Sequence, residues 1–380
     1  MLPPETKIMS ADDHLIEPAQ LWQDHTEARF RDRAPRIETD DAGRQHWIFE
    51  GERTYIQMGS CRPRDGHPET GYPPAGSANY DEIRPGCFDP VQRLADMDVD
   101  GVWGQLCFPN YARFAGHRFY MGSTDQELGQ ACIRAYNDYL LDVWCATDRE
   151  RLHGAVILPL SDVDAAVAEL ERVIPKGASA IAFSENPTVL GLPSVHTDHW
   201  DPLFAVAQEA GVPICQHIGS SSRLMSTSPD APVNVQVTLL GINSLLAGVD
   251  WICGPTLDRF PNLNVMLSEG GAGWVPYVVE RADKVWHDKR ISAAIQGHAT
   301  TRPPSEVFAQ HIHVCLVDEH FALDSLDHIP LDNLLWEGDY PHGDGLWPNN
   351  RAYLEKAMAE VPDDVAVQIS SSNLRRLLPH

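Results

Sequence analysis

Eight short apolar segments, most of them ending in a polar residue or glycine, constrain the fold of this 380-residue chain more than any other feature. Many are followed by stretches in which apolar residues recur at helical spacing, which is typical of repeated β/α units. Each segment is apolar enough to be buried on both faces, as parallel strands are. The pattern predicts an α/β protein built as a TIM (β/α)8 barrel. The predicted strands span residues 7–13, 102–108, 154–160, 178–184, 212–218, 263–269, 312–318 and 334–339.

The stretches between these segments support the same architecture. Apolar residues recur at helical spacing over 163–174, and Ser161 is placed to cap this helix, so the third and fourth strands form a βαβ unit around it. A longer helix with the same pattern is predicted over 128–143, and another over 200–210.

Residues 29–90 interrupt this alternation, because they are rich in glycine, proline and charge and carry short hairpin-like pieces at 47–50 and 53–57. We predict a long insertion after the first strand. A segment of this length in a compact protein often serves as a lid or binding element, and a loosely ordered surface excursion is the alternative. No second domain boundary is evident, so residues 1–380 are expected to form a single barrel domain.

Composition restricts the partners and the compartment. The net charge of −25 opposes the phosphate neutralisation that nucleic-acid binding requires, and it repels anionic membranes. We find no run of about 18 apolar residues that could span a bilayer. Residues 1–10 lack the features of a secretory signal, and the eight cysteines form no CxxC pair. The sequence predicts a soluble, cytoplasmic protein with reduced thiols that acts on a small molecule, without nucleic-acid or membrane partners.

Polar residues that close the predicted strands are the candidates for a site, because active sites of α/β barrels lie at the C-terminal ends of the strands. Asp12 and His14 close the first strand and share one face of it, since they are two residues apart. His217 closes the fifth strand and Asp339 the eighth. Two carboxylates and two imidazoles suit one divalent cation, with zinc or manganese preferred and iron also compatible. A one-residue slip in register would exchange Asp12 with Asp13.

Motifs in a fixed order carry a resemblance to a known family. They are DDHLIEP at 12–18, DPVQRLADMD at 89–98, GLP at 191–193, HWDP at 199–202, HIGSSS at 217–222, FPNL at 260–263, EGG at 269–271 and GDYPH at 338–342. With these motifs the chain resembles the amidohydrolase superfamily over nearly its whole length. The similarity is to the amidohydrolase-related branch, which includes aminocarboxymuconate-semialdehyde decarboxylase and related aromatic-acid decarboxylases. The resemblance implies a barrel with one metal ion, held by the first-strand pair, the fifth-strand histidine and the eighth-strand aspartate.

Three departures from the family pattern refine this expectation. Asp12 stands where many members have the first histidine of a His-x-His pair, and it keeps a ligand there. Glu269 stands on the sixth strand where the decarboxylases of the branch carry a catalytic histidine, which favours hydrolysis over decarboxylation. The fourth strand ends at Ser184 and Glu185 without the lysine that bridges two metals in some relatives, which favours a single metal.

The main hypothesis is therefore a metal-dependent hydrolase that opens an amide, lactone or related bond of a small cyclic or aromatic substrate. A divalent ion can lower the pKa of bound water to about 7, and the resemblance implies that Asp339 is the general base. Glu269 would assist it or orient His217. The first alternative is nonoxidative decarboxylation of an aromatic or unsaturated carboxylic acid, with Asp339 delivering a proton to carbon. The second is a non-catalytic binding or scaffold barrel.

Four further residues are candidates for substrate contacts. Arg113 follows the second strand and could pair with a substrate carboxylate, although a surface ion pair is the alternative. His342 lies three residues beyond Asp339 and could contact substrate or cap the turn. Trp274 and Tyr340, near strand ends, could line an aromatic pocket or simply pack. Because relatives are often dimers, we also expect a homodimer.

Overall fold

The computed structural model describes residues 2–64, 76–288, 291, 299–316, 318–343 and 345–379. Eight parallel strands form one sheet in the order β1, β6, β7, β8, β9, β10, β11, β12. Their bounds are β1 Ile8–His14, β6 Val102–Phe108, β7 Leu152–Ile157, β8 Ala180–Ser184, β9 Ile214–His217, β10 Val265–Ser268, β11 Ile312–Leu316 and β12 Leu334–Trp336. The predicted α/β barrel and all eight of its strands are confirmed, while residue 317 of the predicted seventh strand lies outside the described residues.

The barrel is nearly closed between its first and last strands. The backbone N–H of Asp339, just beyond β12, donates to the carbonyl of Asp12 in β1 over 2.8 Å, and the N–H of Gly338 donates to Ser10 Oγ over 2.8 Å. Closure of this kind brings the C-terminal ends of β1 and β12 side by side.

Helices surround the sheet and cover its outer face. The α-helices span Leu21–His25, Pro90–Asp100, His117–Tyr120, Gln126–Tyr139, Cys145–Thr147, Val163–Val173, Asp201–Ala210, Val233–Thr238, Leu240–Cys253, Thr256–Arg259, Val275–His287, Pro304–His311, His320–Asp324, Asn350–Ala357, Asp363–Val367 and Asn373–Leu377. Two π-helical turns, Leu140–Trp144 and Gln368–Ser372, continue neighbouring helices.

The three predicted helices are present with shifted ends. The helix Val163–Val173 is capped by Asp162, whose carboxylate accepts the N–H of Ala165 over 3.1 Å. The expected cap at Ser161 is therefore wrong, because Asp162 is the residue with extended backbone before the first turn. The helix Gln126–Tyr139 begins at an Asp125 cap in the same way.

The segment 29–90 contains a four-stranded antiparallel sheet in the order β2, β3, β4, β5. Its strands are β2 Arg36–Thr39, β3 Gln45–Phe49, β4 Glu52–Gln57 and β5 Ser77–Ala78. Glu50 and Gly51 join β3 to β4 with positive φ angles of 49° and 84°, as a tight hairpin turn requires. The predicted hairpin pieces are thus present, while residues 65–75 of the segment lie outside the described residues.

One described helical stretch has the length and apolar composition of a membrane span, which the sequence was not expected to contain. Val233–Cys253 is long and apolar enough to cross a membrane by length and composition alone, with a mean hydropathy of 1.4. The expectation that no such segment exists is therefore wrong. One face of the stretch packs on the barrel, where Trp251 donates its indole N–H to Gln216 of β9 over 2.8 Å. A helix that packs on a protein core can have the same length and composition, so this finding is weak evidence for a membrane span.

Candidate functional site

Four polar side chains predicted from strand ends converge at one end of the barrel. His14 Nε2 lies 3.0 Å from His217 Nε2, and 3.5 Å from both Asp12 Oδ1 and Asp339 Oδ1. His217 Nε2 lies 3.3 Å from Asp12 Oδ2. All four side chains are at most 2% exposed. The strand register brings these side chains together from positions more than 300 residues apart.

The register of β1 separates the two neighbouring aspartates. Asp12 and His14 point into the barrel, as alternate residues of a strand do. Asp13 points the other way, where its Oδ1 accepts the backbone N–H of Tyr340 over 2.7 Å. Burial raises the pKa of Asp13 to about 7, while Ser10, Arg93 and this N–H oppose the shift. Of the two aspartates, Asp12 is therefore the one that faces His217.

Both imidazoles of the cluster are held neutral. Burial lowers the pKa of His217 to about 3, and burial together with His342 and His217 lowers that of His14 well below its usual value. His217 Nδ1 lies 2.6 Å from the carbonyl of Ile218, to which it can only donate. The proton therefore sits on Nδ1, and Nε2 presents a lone pair to His14 and Asp12.

The lone pair of His217 Nε2 thus faces both His14 Nε2 and the carboxylate of Asp12. Neither carboxylate oxygen of buried Asp12 accepts a hydrogen bond from the described part of the chain. Burial raises the pKa of Asp12 well above its usual value, and the charges of Glu337, Asp339 and Glu269 raise it further. Such an arrangement is costly unless a cation lies among the oxygen and nitrogen atoms. The residues therefore fit a divalent metal ion.

Ligand atoms of two overlapping groups lie within 4.8 Å of one another. One group is Asp12, His14 and His217, and the other is His14, Asp339 and His342. His342 Nδ1 lies 2.9 Å from Asp339 Oδ1, and its ring stacks on that of His14 at 3.9 Å between centroids. His342 also donates its backbone N–H to the carbonyl of Asp339 over 2.9 Å, so it both shapes the turn and faces the cluster.

Two acidic residues extend the cluster. Glu269, at the end of β10, places Oε2 3.2 Å from His217 Nε2. Glu337, directly after β12, is fully buried, and its Oε2 accepts the backbone N–H of Glu269 over 3.0 Å. Sequence analysis did not single out Glu337, although it stands two residues before Asp339 at the end of a buried strand. That alternation was the signal that could have found it.

A cavity of about 560 Å³ adjoins the cluster and is lined by Glu269, His342 and Arg113. Its apolar lining comes from Phe114, whose ring lies 4.1 Å from that of His217, and from Ile218, Leu224 and Leu240. Arg113 has a positive φ of 66° and lines the cavity. Its guanidinium is therefore available to an anionic ligand in this cavity.

A second cavity of about 340 Å³ continues from the first along Arg113 and Phe114. Trp47 of β3 and residues 54–57 of β4 form one of its walls. The small antiparallel sheet of segment 29–90 therefore borders this cavity.

Two of the predicted substrate contacts lie elsewhere. Tyr340 is 1% exposed and donates its hydroxyl to Asp96 Oδ2 over 2.6 Å, with the Arg93 guanidinium 4.3 Å from its ring centre. Trp274 donates its indole N–H to the carbonyls of Gly270 and Gly271 over 3.1 and 3.0 Å. Neither side chain lines the two cavities beside the cluster, because each is engaged in packing behind the strand ends.

Glu17 holds the loop that carries Arg113, and sequence analysis gave it no role. Its buried carboxylate accepts three consecutive backbone N–H groups, those of Asn110, Tyr111 and Ala112, over 3.1, 2.7 and 3.0 Å. Glu17 is followed by a proline and lies more than 90 residues before this loop. The sequence around it therefore does not indicate the contact.

Replacing Glu17 by glutamine is expected to lower the free energy of unfolding by about 1–3 kcal/mol. The amide NH2 of glutamine cannot accept, so at least one buried N–H of the loop loses its acceptor. Denaturant unfolding followed by circular dichroism measures the change. Glu127→Gln, which alters a carboxylate that is 70% exposed, is the matched control and should leave the stability within about 0.5 kcal/mol. Equal stabilities of the two variants would contradict this role of Glu17.

The chain is similar to one family model and to curated decarboxylases. A family model described as Amidohydrolase matches residues 40–379. The decarboxylase OrsB of Emericella nidulans is 28% identical over 215 residues, which are 52% of this chain and 60% of that protein. The gamma-resorcylate decarboxylase of Rhodococcus jostii is 27% identical over 183 residues, which are 41% of this chain and 50% of that protein. The chain thus spans only about half to three fifths of these relatives.

Solved structures share the fold over nearly the whole chain. An amidohydrolase from Mycobacterium avium subsp. paratuberculosis has a TM-score of 0.74 with 19% identity and covers 99% of this chain and 100% of its own. The 5-carboxyvanillate decarboxylase LigW of Sphingomonas paucimobilis has a TM-score of 0.66 with 20% identity, covering 98% and 99%. That of Novosphingobium aromaticivorans, complexed with manganese and 4-hydroxy-3-methoxy-5-nitrobenzoic acid, has a TM-score of 0.61 with 13% identity, covering 99% and 97%.

Proposed function

Because this chain belongs to the amidohydrolase family, we propose that it is a metal-dependent decarboxylase of a hydroxylated aromatic carboxylic acid. The observation that carries the proposal is the convergence of Asp12, His14, His217 and Asp339 beside a cavity that Arg113 enters. The curated relatives are decarboxylases, which favours this alternative over the hydrolase that we expected first.

The residues have separate tasks in the proposed reaction. Asp12, His14, His217 and Asp339 would hold one divalent ion, with manganese or zinc suited to the donor set. When bound, such an ion supplies positive charge that attracts the carboxylate and neighbouring hydroxyl oxygens of the substrate. Arg113 draws the acid into the cavity by pairing with an anionic oxygen.

Carbon dioxide leaves when the bond between the ring carbon and the carboxylate breaks. The electron pair stays on the ring carbon, and a proton must add there to give the neutral product. Asp339 is the proposed donor of this proton, and His342, 2.9 Å away, holds the carboxyl in place. The apolar wall of Phe114 and Leu240 favours the step, because an uncharged product replaces a carboxylate that water would stabilise.

The experiment is an assay of carbon dioxide release from 2-hydroxybenzoates that carry further hydroxyl or methoxy groups. We expect equimolar carbon dioxide and phenol, formed by manganese- or zinc-loaded protein. A metal-loaded protein that releases no carbon dioxide from any member of this series, and instead opens aryl lactones or amides, would overturn the proposal.

Hydrolysis remains the second candidate because of Glu269. A carboxylate stands there, 3.2 Å from His217, where the resemblance led us to expect a histidine in a decarboxylase. In a hydrolase Glu269 would assist Asp339 in taking a proton from water. Lactone and amide substrates assayed alongside the hydroxybenzoates decide between the two reactions.

Replacing Arg113 by glutamine is expected to lower kcat/KM for carbon dioxide release about 10- to 100-fold, mainly through KM. Glutamine keeps hydrogen-bonding groups at this position but loses the charge that pairs with an anionic oxygen. Steady-state kinetics measure the effect. Arg36→Gln removes the same charge from β2, where Arg36 pairs with Glu38, and should retain the wild-type kcat/KM. An unchanged KM in Arg113→Gln would contradict the assignment.

Three expectations from the sequence complete the proposal. We propose that residues 1–380 act as one domain in which segment 29–90 is an insertion, that the enzyme is a homodimer, and that it is cytoplasmic. The scattered cysteines, which form no CxxC pair, support a reducing compartment.

A further inference from the structure

A third cavity lies at the opposite end of the barrel from the proposed metal site. Its volume is about 490 Å³. Lys7 and Met9 at the start of β1, Trp103 at the start of β6 and His153 at the start of β7 line it. These are the N-terminal ends of strands whose C-terminal ends carry the metal cluster. The cavity is therefore separate from the site described above.

The lining of this cavity is positively charged in a protein whose net charge is −25. Lys7, Arg149 and Arg375 contribute three cations, and Glu150 is the acidic residue among the described residues of the lining. Burial lowers the pKa of His153, and the Arg375 charge lowers it further, so this side chain is neutral at pH 7. The cavity thus concentrates positive charge against the sign of the whole molecule, as anion sites do.

Contacts within the lining fix these cations in place. Lys7 Nζ and the Arg375 guanidinium each lie 4.3 Å from the centre of the Trp103 ring. Arg149 donates from its two terminal nitrogens to the carbonyls of Lys176 and Leu141, over 3.2 and 3.5 Å. Cation–π and carbonyl contacts of this kind position a charge without neutralising it.

Arg375 presents an edge that is shaped for an oxyanion. Its Nε and Nη2 atoms are buried, and neither has a hydrogen-bond partner within the described chain. The guanidinium stacks on the Trp103 ring, which leaves its charge uncompensated. These two nitrogens lie on one edge of the guanidinium, and a small turn of the side chain toward the cavity would let a carboxylate or phosphate accept two parallel hydrogen bonds from it. Buried donors without an acceptor are costly, so this edge favours such a ligand.

We propose that this cavity binds a small organic anion, whose carboxylate or phosphate accepts hydrogen bonds from Arg375 Nε and Nη2. Lys7 and Arg149 add charge around the same group. Met9, Leu152 and Leu378 offer apolar surface to the rest of the ligand. The site is not catalytic, because Asp12 and His14 occupy the other end of β1. The inference does not depend on the reaction at the metal site.

Isothermal titration at low salt tests the proposal with two probes, benzoate for a carboxylate and inorganic phosphate for a phosphate. We expect at least one probe to bind the wild type and to bind Arg375→Gln about 10- to 100-fold more weakly, because a charged hydrogen-bonding edge is lost. Lys7→Gln, a change at an exposed position, should weaken the same event. The matched control Arg36→Gln should bind as the wild type does.

Benzoate can also enter the cavity beside the metal cluster, and Arg113→Gln distinguishes the two sites. That variant should keep the binding event that Arg375→Gln loses. Binding of benzoate alone identifies a carboxylate ligand, and binding of phosphate alone identifies a phosphate ligand. The proposal is overturned if neither probe binds the wild type at about 10 mM, a concentration that detects a Kd of about 1 mM. It is equally overturned if all binding survives in both Arg375→Gln and Lys7→Gln.

Discussion

Replacing Asp339 by asparagine is expected to lower kcat for carbon dioxide release by about 10²–10⁴-fold. Asparagine keeps an oxygen for the metal but has no proton to deliver to carbon. Its backbone also tolerates the φ of 51° found at Asp339, since asparagine and aspartate adopt this conformation more readily than most residues. The loss should therefore reflect chemistry rather than misfolding. Stopped and continuous assays of carbon dioxide under saturating metal measure it.

Asp198→Asn is the matched control, because Asp198 is an exposed aspartate and lies in neither cavity beside the cluster. Its kcat should equal that of the wild type. Circular dichroism and metal analysis of Asp339→Asn show whether the fold and the ion remain. A folded, metal-bound Asp339→Asn protein with wild-type kcat would reject Asp339 as the proton donor.

Replacing His217 by alanine is expected to weaken metal binding more than about 100-fold and to reduce carbon dioxide release to background. His217 Nε2 stands within 3.3 Å of both His14 and Asp12, so its removal takes a neutral donor from the centre of the cluster. The remaining side chains would then offer the ion one donor fewer. Activity measured as a function of added manganese reports this effect.

His328→Ala provides the control, because His328 is an exposed histidine in the turn before β12. It should need no more manganese than the wild type. If His217→Ala recovers wild-type activity at the manganese concentration that saturates the wild type, His217 is not a ligand.

The architecture was predictable because buried parallel strands leave a clear signal. Most barrel strands are short, predominantly apolar segments, and the helix Val163–Val173 has a regular apolar face. The ends were less predictable, since they depend on hydrogen bonds between distant residues. β12 ends at Trp336 and not at 339. Asp339 has a positive φ and donates its backbone N–H to the carbonyl of Asp12 instead of continuing the strand. The cap at Asp162 in place of Ser161 has the same kind of local cause.

The cluster was predictable from strand ends and alternation, whereas the direction of loop side chains was not. Alternation in β1 selects Asp12 and His14, and the barrel joins them to His217 and Asp339. Proximity to a strand end did not decide that Tyr340 would turn away to Asp96. Such a direction depends on packing that involves residues more than 200 positions away.

The expected reaction was hydrolysis, and the comparisons favour decarboxylation instead. Glu269 suggested hydrolysis because it replaces an expected histidine, yet the curated relatives that match this chain are decarboxylases. A single substitution near a metal cluster does not fix the reaction, since the metal and its ligands serve either chemistry.

Counting bound metal by mass spectrometry in the wild type and in His217→Ala tests most directly whether the four side chains share one cation. After dialysis against manganese and then buffer, we expect about one ion per wild-type chain, as a single site requires, and little or none in the variant. A wild type without metal, or a variant that retains as much as the wild type, would contradict the site.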